Sequence, residues 1–521
     1  MDQPWYEPPK APPPGADGAG DNPYARSAGP WGGPSWQPQD PPPLASACPS
    51  RRRTAVLAGA AALALVLLGA GLYAGLGGGS GKRGGGADRT AGPTVAARPP
   101  AGPQAPSPSS GGAAPGLGAD INIGRAAGEA RAWAFANDLD VPDNTHLYDL
   151  WFAGDTVVQA AYTEVTALRT ADGTKAWGLR LPAPVCDTPV GTTPDGKVVV
   201  AYSNGGGTAG GPGRRCDHLM MIDLKTGKPG WTRKLTSEDS SDSLLTVHLA
   251  ISGDTLMVGR FMSADAYRVS DGAPLFVSRK ENPGGCYPDD VAGGVRLLQV
   301  DHCGITGKTP QDQIKELDPR TGKVKWRFRL PTGQKLWKVL SVDPVVVVAQ
   351  DRTDIGKWTA VVLDSAGRRR TVIDPGDRGL DPCDEGDSGE GVQNCRGPLV
   401  GGGMLYASTE GRLGAFSLAT GKFAWGRKVE AYRPFLPLKA EGGTLVAYVG
   451  ATSQQPGRTL RLGPGPTKVT VLMRHTSSAR APEQEMLGGN VAYAAGRVFV
   501  TDSLMDGDDR QQVIRMLSFG D

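Results

Sequence analysis

Cysteine is the residue type with the most evident chemistry in this 521-residue chain. Cys48 stands alone near the N-terminus, and because no apolar lipobox precedes it, we interpret it as a free thiol. The other six cysteines are Cys186, Cys216, Cys286, Cys303, Cys383 and Cys395. An even number favours disulfide bonds in an oxidising compartment, and six cysteines allow fifteen pairings.

Metal ligands are a second possibility at three places. Cys216-Asp217-His218 and His302-Cys303 carry donors that zinc accepts, but thiols in an oxidising compartment are expected to be oxidised instead. Residues 381–395 group five carboxylates, which suit Ca²⁺, without the spacing of a known calcium loop. We therefore predict a solvated acidic loop and no metal site.

Two short motifs echo the loops of enzymes. Residues 386–389 (GDSG) resemble the nucleophile loop of trypsin-like proteases, but that chemistry needs a histidine base and an aspartate from a different fold. Residues 304–309 (GITGKT) resemble a phosphate-binding loop, but His302 stands where its first glycine should be, and no helical pattern follows. Neither motif predicts a catalytic residue.

A membrane span is expected between Cys48 and the other six cysteines. Residues 54–76 contain no charged side chain, and as a helix they would be about 34 Å long, enough to cross a bilayer. A cleaved signal peptide is the alternative, but its apolar region would be shorter and an A-x-A site would follow. We predict a transmembrane signal anchor at residues 51–76. Arg51, Arg52 and Arg53 then hold the N-terminus in the cytoplasm.

The segments on either side of the span are too rich in proline and glycine to fold. Residues 1–50 hold fourteen prolines and are predicted to be a disordered cytoplasmic tail, whose polyproline stretches could bind a cytoplasmic partner. Residues 77–127 are predicted to be a flexible linker to an extracytoplasmic domain at residues 128–521. The formal net charge of +3 argues against nucleic acid as a partner.

A ten-residue unit recurs in the predicted domain, where short apolar runs broken by Gly, Asp and Pro indicate β-strands. Its full copies are residues 168–177 (LRTADGTKAW), 222–231 (IDLKTGKPGW), 317–326 (LDPRTGKVKW) and 416–425 (FSLATGKFAW). Two degenerate copies are residues 267–276 (YRVSDGAPLF) and 362–372 (VLDSAGRRRTV). In each full copy the glycine precedes the tryptophan by four positions.

The spacing of this unit is typical of propeller blades. Its glycines, at positions 173, 227, 272, 322, 367 and 421, are 45 to 54 residues apart. Glycine supplies the positive φ that a hairpin turn needs, and the aromatic ring on the outer strand can cover the next blade. The predicted blade-docking residues are Trp177, Trp231, Trp326 and Trp425.

The pattern resembles the pyrroloquinoline-quinone-like (PQQ-like) repeat of quinoprotein-type propellers, A-x-D-x-x-T-G-x-x-x-W. The resemblance implies an all-β, eight-bladed β-propeller over residues 128–521 of a membrane-anchored bacterial protein of actinobacterial type. The glycines account for six blades and residues 444–473 for a seventh. The C-terminal strands make three quarters of an eighth blade, and residues 131–137 (RAWAFAN) supply its outer strand, which would close the ring.

The resemblance covers proteins of different function. Some are quinone-dependent dehydrogenases, and others are non-catalytic, such as an outer-membrane assembly lipoprotein and the outer parts of actinobacterial membrane kinases. A dehydrogenase would need a Ca²⁺ ligand set, a catalytic aspartate and, in many members, a disulfide between adjacent cysteines. None of these maps onto this sequence. We therefore expect a non-catalytic binding or scaffolding module for an envelope protein or ligand, without a cofactor. The alternatives are a PQQ-dependent oxidoreductase and an extracellular sensor that signals through the proline-rich tail.

The strand assignment sorts the loops of the propeller onto two faces. With nearest-neighbour pairing, Cys186–Cys216, Cys286–Cys303 and Cys383–Cys395 each fall within one repeat. All six cysteines then lie on the face formed by the loops between second and third strands and by the connections from one blade to the next. We call this the cysteine face; the long insertions share it, as binding sides of repeat arrays often do.

Charge is expected to divide between the two faces. The turns between third and fourth strands carry Lys175, Lys225, Lys228, Arg320, Lys323, Lys325, Arg368, Arg369, Arg370 and Lys422. The cysteine face carries Glu238, Asp239, Asp242, Asp289, Asp290, Asp384, Glu385, Asp387, Glu390, Asp506, Asp508 and Asp509. Because the linker leads into an outer strand, we expect the basic face to look toward the membrane; ordinary solubilising charge is the alternative.

Overall fold

Strands arranged as propeller blades make up the part of the chain that the structure describes. This computed structural model describes residues 121–521 except 137–138, 143, 205–214, 237–243, 245, 282–284, 305–309, 382, 384–390, 431–432, 464–467, 487 and 506–513. The predicted tail, the predicted span and most of the predicted linker lie outside these residues. Within the described residues, no helix has the length and hydropathy needed to span a membrane.

The first four blades follow one another along the chain after strand β1 (Arg131–Ala136). Blade 1 consists of β2 (Thr145–Ala153), β3 (Thr156–Ala161), β4 (Glu164–Arg169) and β5 (Lys175–Arg180). Blade 2 consists of β6 (Val185–Asp187), β7 (Lys197–Tyr202), β8 (His218–Asp223) and β9 (Lys228–Lys234). Blade 3 consists of β10 (Val247–Ser252), β11 (Thr255–Arg260), β12 (Ser263–Arg268) and β13 (Pro274–Ser278). Blade 4 consists of β14 (Cys286–Ala292), β15 (Leu297–Cys303), β16 (Gln311–Leu317) and β17 (Val324–Arg329).

The next three blades repeat this order. Blade 5 consists of β18 (Gln334–Val342), β19 (Val345–Asp351), β20 (Trp358–Leu363) and β21 (Arg369–Ile373). Blade 6 consists of β22 (Leu399–Gly401), β23 (Met404–Thr409), β24 (Arg412–Ser417) and β25 (Phe423–Lys428). Blade 7 consists of β26 (Phe435–Glu441), β27 (Thr444–Val449), β28 (Arg458–Leu462) and β29 (Val469–Arg474). In each blade the strands pair antiparallel in chain order, and first strands contact the first strands of neighbouring blades, so they line the central channel.

The eighth blade joins the two ends of the domain. Its strands are β30 (Val491–Ala494), β31 (Arg497–Thr501), β33 (Ile514–Gly520) and, outermost, β1. Arg131 lies opposite Gly520 and Ala136 opposite Ile514, in an antiparallel register. The all-β, eight-bladed propeller is therefore confirmed, and β1, residues 131–136 of the predicted 131–137, closes it; residue 137 lies outside the described residues.

A few short elements complete the ring. Strand β32 (Leu504–Met505) pairs with β2 and adds a fifth strand to the sheet of blade 1. The described helices are the α-helix α1 (Arg480–Glu485) and the 3-10 segments Gly376–Arg378 and Ser477–Ala479, all in connections between blades.

The glycine turns position one blade against the next. Gly272 has φ +72°, and its N–H donates to the Arg268 carbonyl at 2.8 Å. The ring of Trp231, from the preceding blade, lies on this turn and donates Nε1–H to the Val269 carbonyl at 2.7 Å. A Cβ on Gly272 would come within 2.6 Å of that ring, so the turn needs glycine for its backbone and for the space.

The same contact recurs around the ring. The pairs are Trp133 on Gly173, Trp177 on Gly227, Trp231 on Gly272, Phe276 on Gly322 and Trp326 on Gly367. Trp425 packs in the core cluster of Leu445 and Leu462 in blade 7. At Gly421 the contact is made by the backbone of Val372, because the copy of the unit at residues 362–372 has no aromatic residue. Our sequence reasoning missed Trp133, although its Ala-Trp dipeptide matches those at Trp177 and Trp425.

Two alanine substitutions in blade 3 separate backbone strain from loss of this packing. Gly253→Ala places a Cβ at φ +59° in open space and is expected to cost about 1–2 kcal/mol of unfolding free energy. Gly272→Ala has the same strain and also displaces Trp231, so we expect about 1–3 kcal/mol more. Urea unfolding followed by tryptophan fluorescence measures both; equal losses would show that the ring contributes nothing.

Candidate functional site

Three disulfides place all six cysteines on the cysteine face. Cys186 pairs with Cys216, Cys286 with Cys303, and Cys383 with Cys395. Cys286 begins β14 and lies opposite Cys303, which ends β15. Blade-first strands begin, and second strands end, on the same face.

Part of the connection from blade 5 to blade 6 lies in the central channel. We call residues 391–396 the axial segment. The N–H of Val392 donates to Asp290 Oδ2 at 2.8 Å, and the N–H of Val339 donates to the Val392 carbonyl at 2.7 Å. Asp290 is on β14 and Val339 on β18, the channel-lining strands of blades 4 and 5. Strand β18 pairs only with β19 among the described strands, so the segment lies along its channel edge.

Side chains fix the residues on either side of Val392. The Lys338 ammonium donates to the Gly391 carbonyl at 2.7 Å. The Gln393 amide makes two hydrogen bonds with Gly293: Oε1 accepts from its N–H at 2.8 Å, and Nε2 donates to its carbonyl at 2.7 Å. Val392 itself is 7 % exposed and packs in the apolar cluster shared by blades 4 and 5.

The far end of the axial segment reaches another blade. Arg396 Nη1 donates to the Gly489 carbonyl at 2.7 Å, close to the start of β30 in blade 8. The Ser408 hydroxyl of blade 6 donates to the Gly397 carbonyl at 2.9 Å, and Ser408 also forms a backbone bridge with Asp381. The axial segment therefore connects blades 4 and 5 with blade 8, and Gly397, directly after it, bonds to blade 6.

Asp290 is the buried acidic group of this site. Burial raises the pKa of its carboxyl, against the influence of nearby His248 and of the two N–H groups of Val291 and Val392. His248 Nε2 is 3.9 Å from Asp290 Oδ2, and His248 Nδ1 has no hydrogen-bond partner among the described residues. The groups at this place in the channel are thus a carboxyl, an imidazole and the Lys338 ammonium, covered by the axial segment.

Bulges interrupt the register of two channel strands. The register shifts between Pro288 and Asp290 in β14, and twice in β18. A bulge leaves a residue out of the ladder and re-aims its side chain. In β14 that residue is Asp289, which bonds to His302 rather than standing free on the surface.

His302 joins two carboxylates at the seam of blades 4 and 5. Its ring lies 3.0 Å from Asp289 Oδ2 and 2.8 Å from Asp312 Oδ1. Hydrogen bonds to Asp289 and Asp312 raise the pKa of His302 to about 10. Asp312 is also bound by Arg352 at 2.6 Å and by the N–H of Leu336 at 2.7 Å. His302 is thus a fixed cation of the seam, unsuited to act as a base at neutral pH.

The candidate zinc positions are used otherwise. Cys303 and Cys216 are in disulfides, and His218 Nδ1 lies 2.6 Å from Asp217 Oδ1. Among the described residues, no three His, Cys, Asp or Glu side chains are grouped as metal ligands. Residues 384–390 of the acidic loop and residues 305–309 of the GITGKT motif lie outside the described residues.

A second buried polar cluster holds blade 7 against blade 8. His475 Nδ1 lies 2.7 Å from Glu483 Oε1 on α1, and the Tyr448 hydroxyl donates to the same oxygen at 2.9 Å. Thr459 lies 3.1 Å from His475 Nε2. Burial raises the pKa of Tyr448 well above its usual value. Because every member has a partner, the cluster is a structural one.

The charge division is less simple than the sequence indicates. Of the twelve acidic residues predicted on the cysteine face, Asp289 and Asp290 are described, and both are engaged in contacts. Lys175, at a turn of the opposite face, pairs at 2.6 Å with Glu164 at the start of β4. Aspartates share the turns of that face with the other bases except Lys422. Ion pairs on that face also join Lys197 with Asp195, Arg268 with Asp271, Arg296 with Asp343, and Arg368 with Asp364. Much of its positive charge is therefore compensated locally.

The segment before β1 lies against a connection of the cysteine face. Ser477 Oγ donates to Glu129 Oε1 at 2.6 Å, and Ser478 Oγ donates to the Ile123 carbonyl at 3.0 Å. Both serines belong to the connection from blade 7 to blade 8. Strand β1 does begin at the opposite face, but the chain reaches it from the rim between these blades. The orientation toward a membrane that we expected from the sequence gains no support from this path.

Comparison with known proteins shows which family the first repeats resemble. Residues 125–276 match the family model described as outer membrane protein assembly factor BamB, less than a third of the chain. The chain is an eight-bladed propeller, and its residues 125–276 match this family model. None of the curated proteins matches it.

Solved structures similar to this propeller include BamB and quinohemoprotein alcohol dehydrogenases. BamB from Moraxella catarrhalis is 16 % identical, with 75 % of this chain and 98 % of that chain covered and a TM-score of 0.43. Quinohemoprotein alcohol dehydrogenase ADHIIG from Pseudomonas putida is 13 % identical, with 75 % and 76 % covered and a TM-score of 0.45. The quinohemoprotein alcohol dehydrogenase from Comamonas testosteroni is 14 % identical, with 75 % and 76 % covered and a TM-score of 0.40. At this level of similarity no activity or ligand transfers to this chain.

The described residues do not suit a quinone with its Ca²⁺. Asp290 and Lys338, the charged groups beside the axial segment, are bonded to its backbone rather than facing open space. Within the described residues no ligand set for a cation is present, and no two cysteines of the sequence are adjacent. We therefore derive no chemistry through that group.

His302 is expected to stay protonated far above neutral pH. Because its folded pKa of about 10 exceeds the unfolded value of about 6.5, its contribution to stability is complete below pH 6.5 and is lost as the pH rises through 10. NMR titration of the imidazole should show no transition near pH 6.5, and Asp312→Asn should lower the midpoint. In thermal unfolding, the difference between wild type and His302→Gln should shrink between pH 7 and pH 10.5; a constant difference contradicts the assignment.

Proposed function

We propose that this protein is a membrane-anchored, extracytoplasmic propeller that binds an envelope protein or ligand through its cysteine face and performs no chemistry itself. Residues 51–76 are its proposed anchor, and the proline-rich tail is its cytoplasmic end. The observation that carries the proposal is the axial segment, because the chain uses its own residues 391–396 to cover the charged groups of the channel at blades 3 to 5.

His302 and the six cysteines of this face also have structural partners. His302 is held between two carboxylates, and the six cysteines form disulfides. Stable loops on one side of a rigid ring suit recognition of another molecule. Exposed apolar side chains are present there for contact: Phe261 is 49 % exposed and Ile355 is 68 % exposed, both between second and third strands.

Photo-crosslinking in intact cells tests this binding role. Replacing Phe261 or Ile355 by p-benzoylphenylalanine should give a discrete crosslinked product that mass spectrometry identifies. The matched control is Val295, which is 77 % exposed in a turn on the opposite face and should give no such product. Equal products from both faces, or none from the cysteine face, would count against the proposal.

Reconstitution tests the oxidoreductase alternative. The full-length protein, incubated with pyrroloquinoline quinone and Ca²⁺, is expected to retain no stoichiometric quinone absorbance after desalting and to show no alcohol-dependent dye reduction. A bacterial quinohemoprotein dehydrogenase treated in the same way is the positive control. Retained quinone with dye reduction would overturn the non-catalytic assignment.

A further inference from the structure

The place where the axial segment sits has the properties of a binding groove. Its walls are β14 of blade 4 and β18 of blade 5. They contact three consecutive residues, Gly391, Val392 and Gln393. Main-chain groups of these residues make three of the contacts: with Lys338, Asp290 and Val339. Pairing of an extended segment with a free strand edge is a common way to recognise peptides.

The first position of the groove accepts glycine. Gly391 has φ +100°, a conformation that other residues rarely adopt. A Cβ there would lie 3.4 Å from His248 Nδ1 and would face that side chain. This position therefore selects for glycine by conformation.

The second position is an apolar pocket. Val392 is 7 % exposed and lies in a cluster with Leu298, Val300 and Leu336. Burial of a valine side chain is favourable by roughly 1.5–3 kcal/mol, whereas an unpaired charge there would be strongly unfavourable. The pocket therefore selects for a branched aliphatic side chain.

The third position recognises a carboxamide. Gln393 accepts from the N–H of Gly293 and donates to its carbonyl, so it uses both ends of the amide. A glutamate of the same size could not donate and would set a carboxylate against the Gly293 carbonyl. This position distinguishes two side chains of nearly identical shape.

We propose that this groove recognises extended peptides of the form glycine–aliphatic–glutamine, and that the axial segment occupies it as an intramolecular ligand. The inference deepens the proposed binding function and rests on it. A partner segment with this sequence would displace residues 391–393 and take over their contacts with β14 and β18. Because a tethered ligand competes at an effective concentration on the order of 1 mM, a free peptide binds the native protein weakly.

The experiment compares a protein with its axial segment detached and a matched control. Val392→Asp combined with Gln393→Ala places a charge in the apolar pocket and removes the amide. Val295→Asp introduces the same charge at an exposed turn. The probe is fluorescein-labelled Gly-Val-Gln-Asn amide, measured by fluorescence anisotropy with full-length proteins in detergent. We expect at least about tenfold tighter binding to the detached variant than to Val295→Asp.

A second peptide tests whether the groove distinguishes glutamine from glutamate at its third position. Gly-Val-Glu-Asn amide should bind the detached variant at least about tenfold more weakly than the glutamine peptide. Equal binding of the two peptides, or equal binding of the glutamine peptide to both proteins, overturns the proposal. Circular dichroism, together with a protein mass that corresponds to three intact disulfides, establishes that both variants are folded.

Hydrogen exchange of the wild-type protein decides the matter if the detached variant does not fold. Millimolar unlabelled Gly-Val-Gln-Asn amide should speed exchange at the Val392 amide while Val339, which donates to the bound strand in either case, keeps its protection. No change at Val392 overturns the proposal. If the groove rejects the peptide but the cysteine face still crosslinks to a partner, only the groove assignment fails and the proposed function stands.

Discussion

The pairing of β1 with β33 is the interaction on which the ring depends. It joins residues almost 400 positions apart in sequence, and it gives blade 8 the outer strand that its C-terminal residues do not provide. The same strand carries Trp133, which covers the Gly173 turn of blade 1. Arg515 on β33 adds a buried bond from its Nε to Gln159 Oε1 of blade 1, at 2.9 Å. Closure thus fixes the seam between blade 8 and blade 1, where the two ends of the ring meet.

Sequence predicts the parts of this fold that depend on local pattern. A glycine four residues before an aromatic residue identifies a turn, and the recurrence of the unit every 45 to 54 residues identifies the next turn, on which the ring lies. The axial segment could not be found in this way. Asp290 and Val392 are 102 positions apart, and the bulge that turns Asp289 toward His302 has no signature in a strand of alternating residues. Residues 391–395 are the last part of the loop 381–395, which the sequence predicts to be solvated, whereas Val392 is only 7 % exposed.

The need of buried polar groups for partners inside the protein explains why chemically promising residues have structural roles. Blade seams are flat and apolar, so the few polar groups at them must find partners inside the protein. His302 has Asp289 and Asp312, and His475 has Glu483. Sequence shows such residues as candidate ligands or bases. In the structure His302 instead binds two carboxylates of its own blade, and one of them, Asp312, binds Arg352 of blade 5.

The path of the chain into β1 has a mechanical consequence. A pull on the polypeptide from its N-terminal side would load the contact of Ile123 with Ser478, then that of Glu129 with Ser477 and the backbone bond from Ala130 N–H to the Arg474 carbonyl, 2.7 Å long. Only after these give way would the load reach the β1–β33 ladder, whose hydrogen bonds would then share it in shear rather than open one at a time. Tension would thus be borne by the rim of blades 7 and 8, leaving the channel and its axial segment undisturbed.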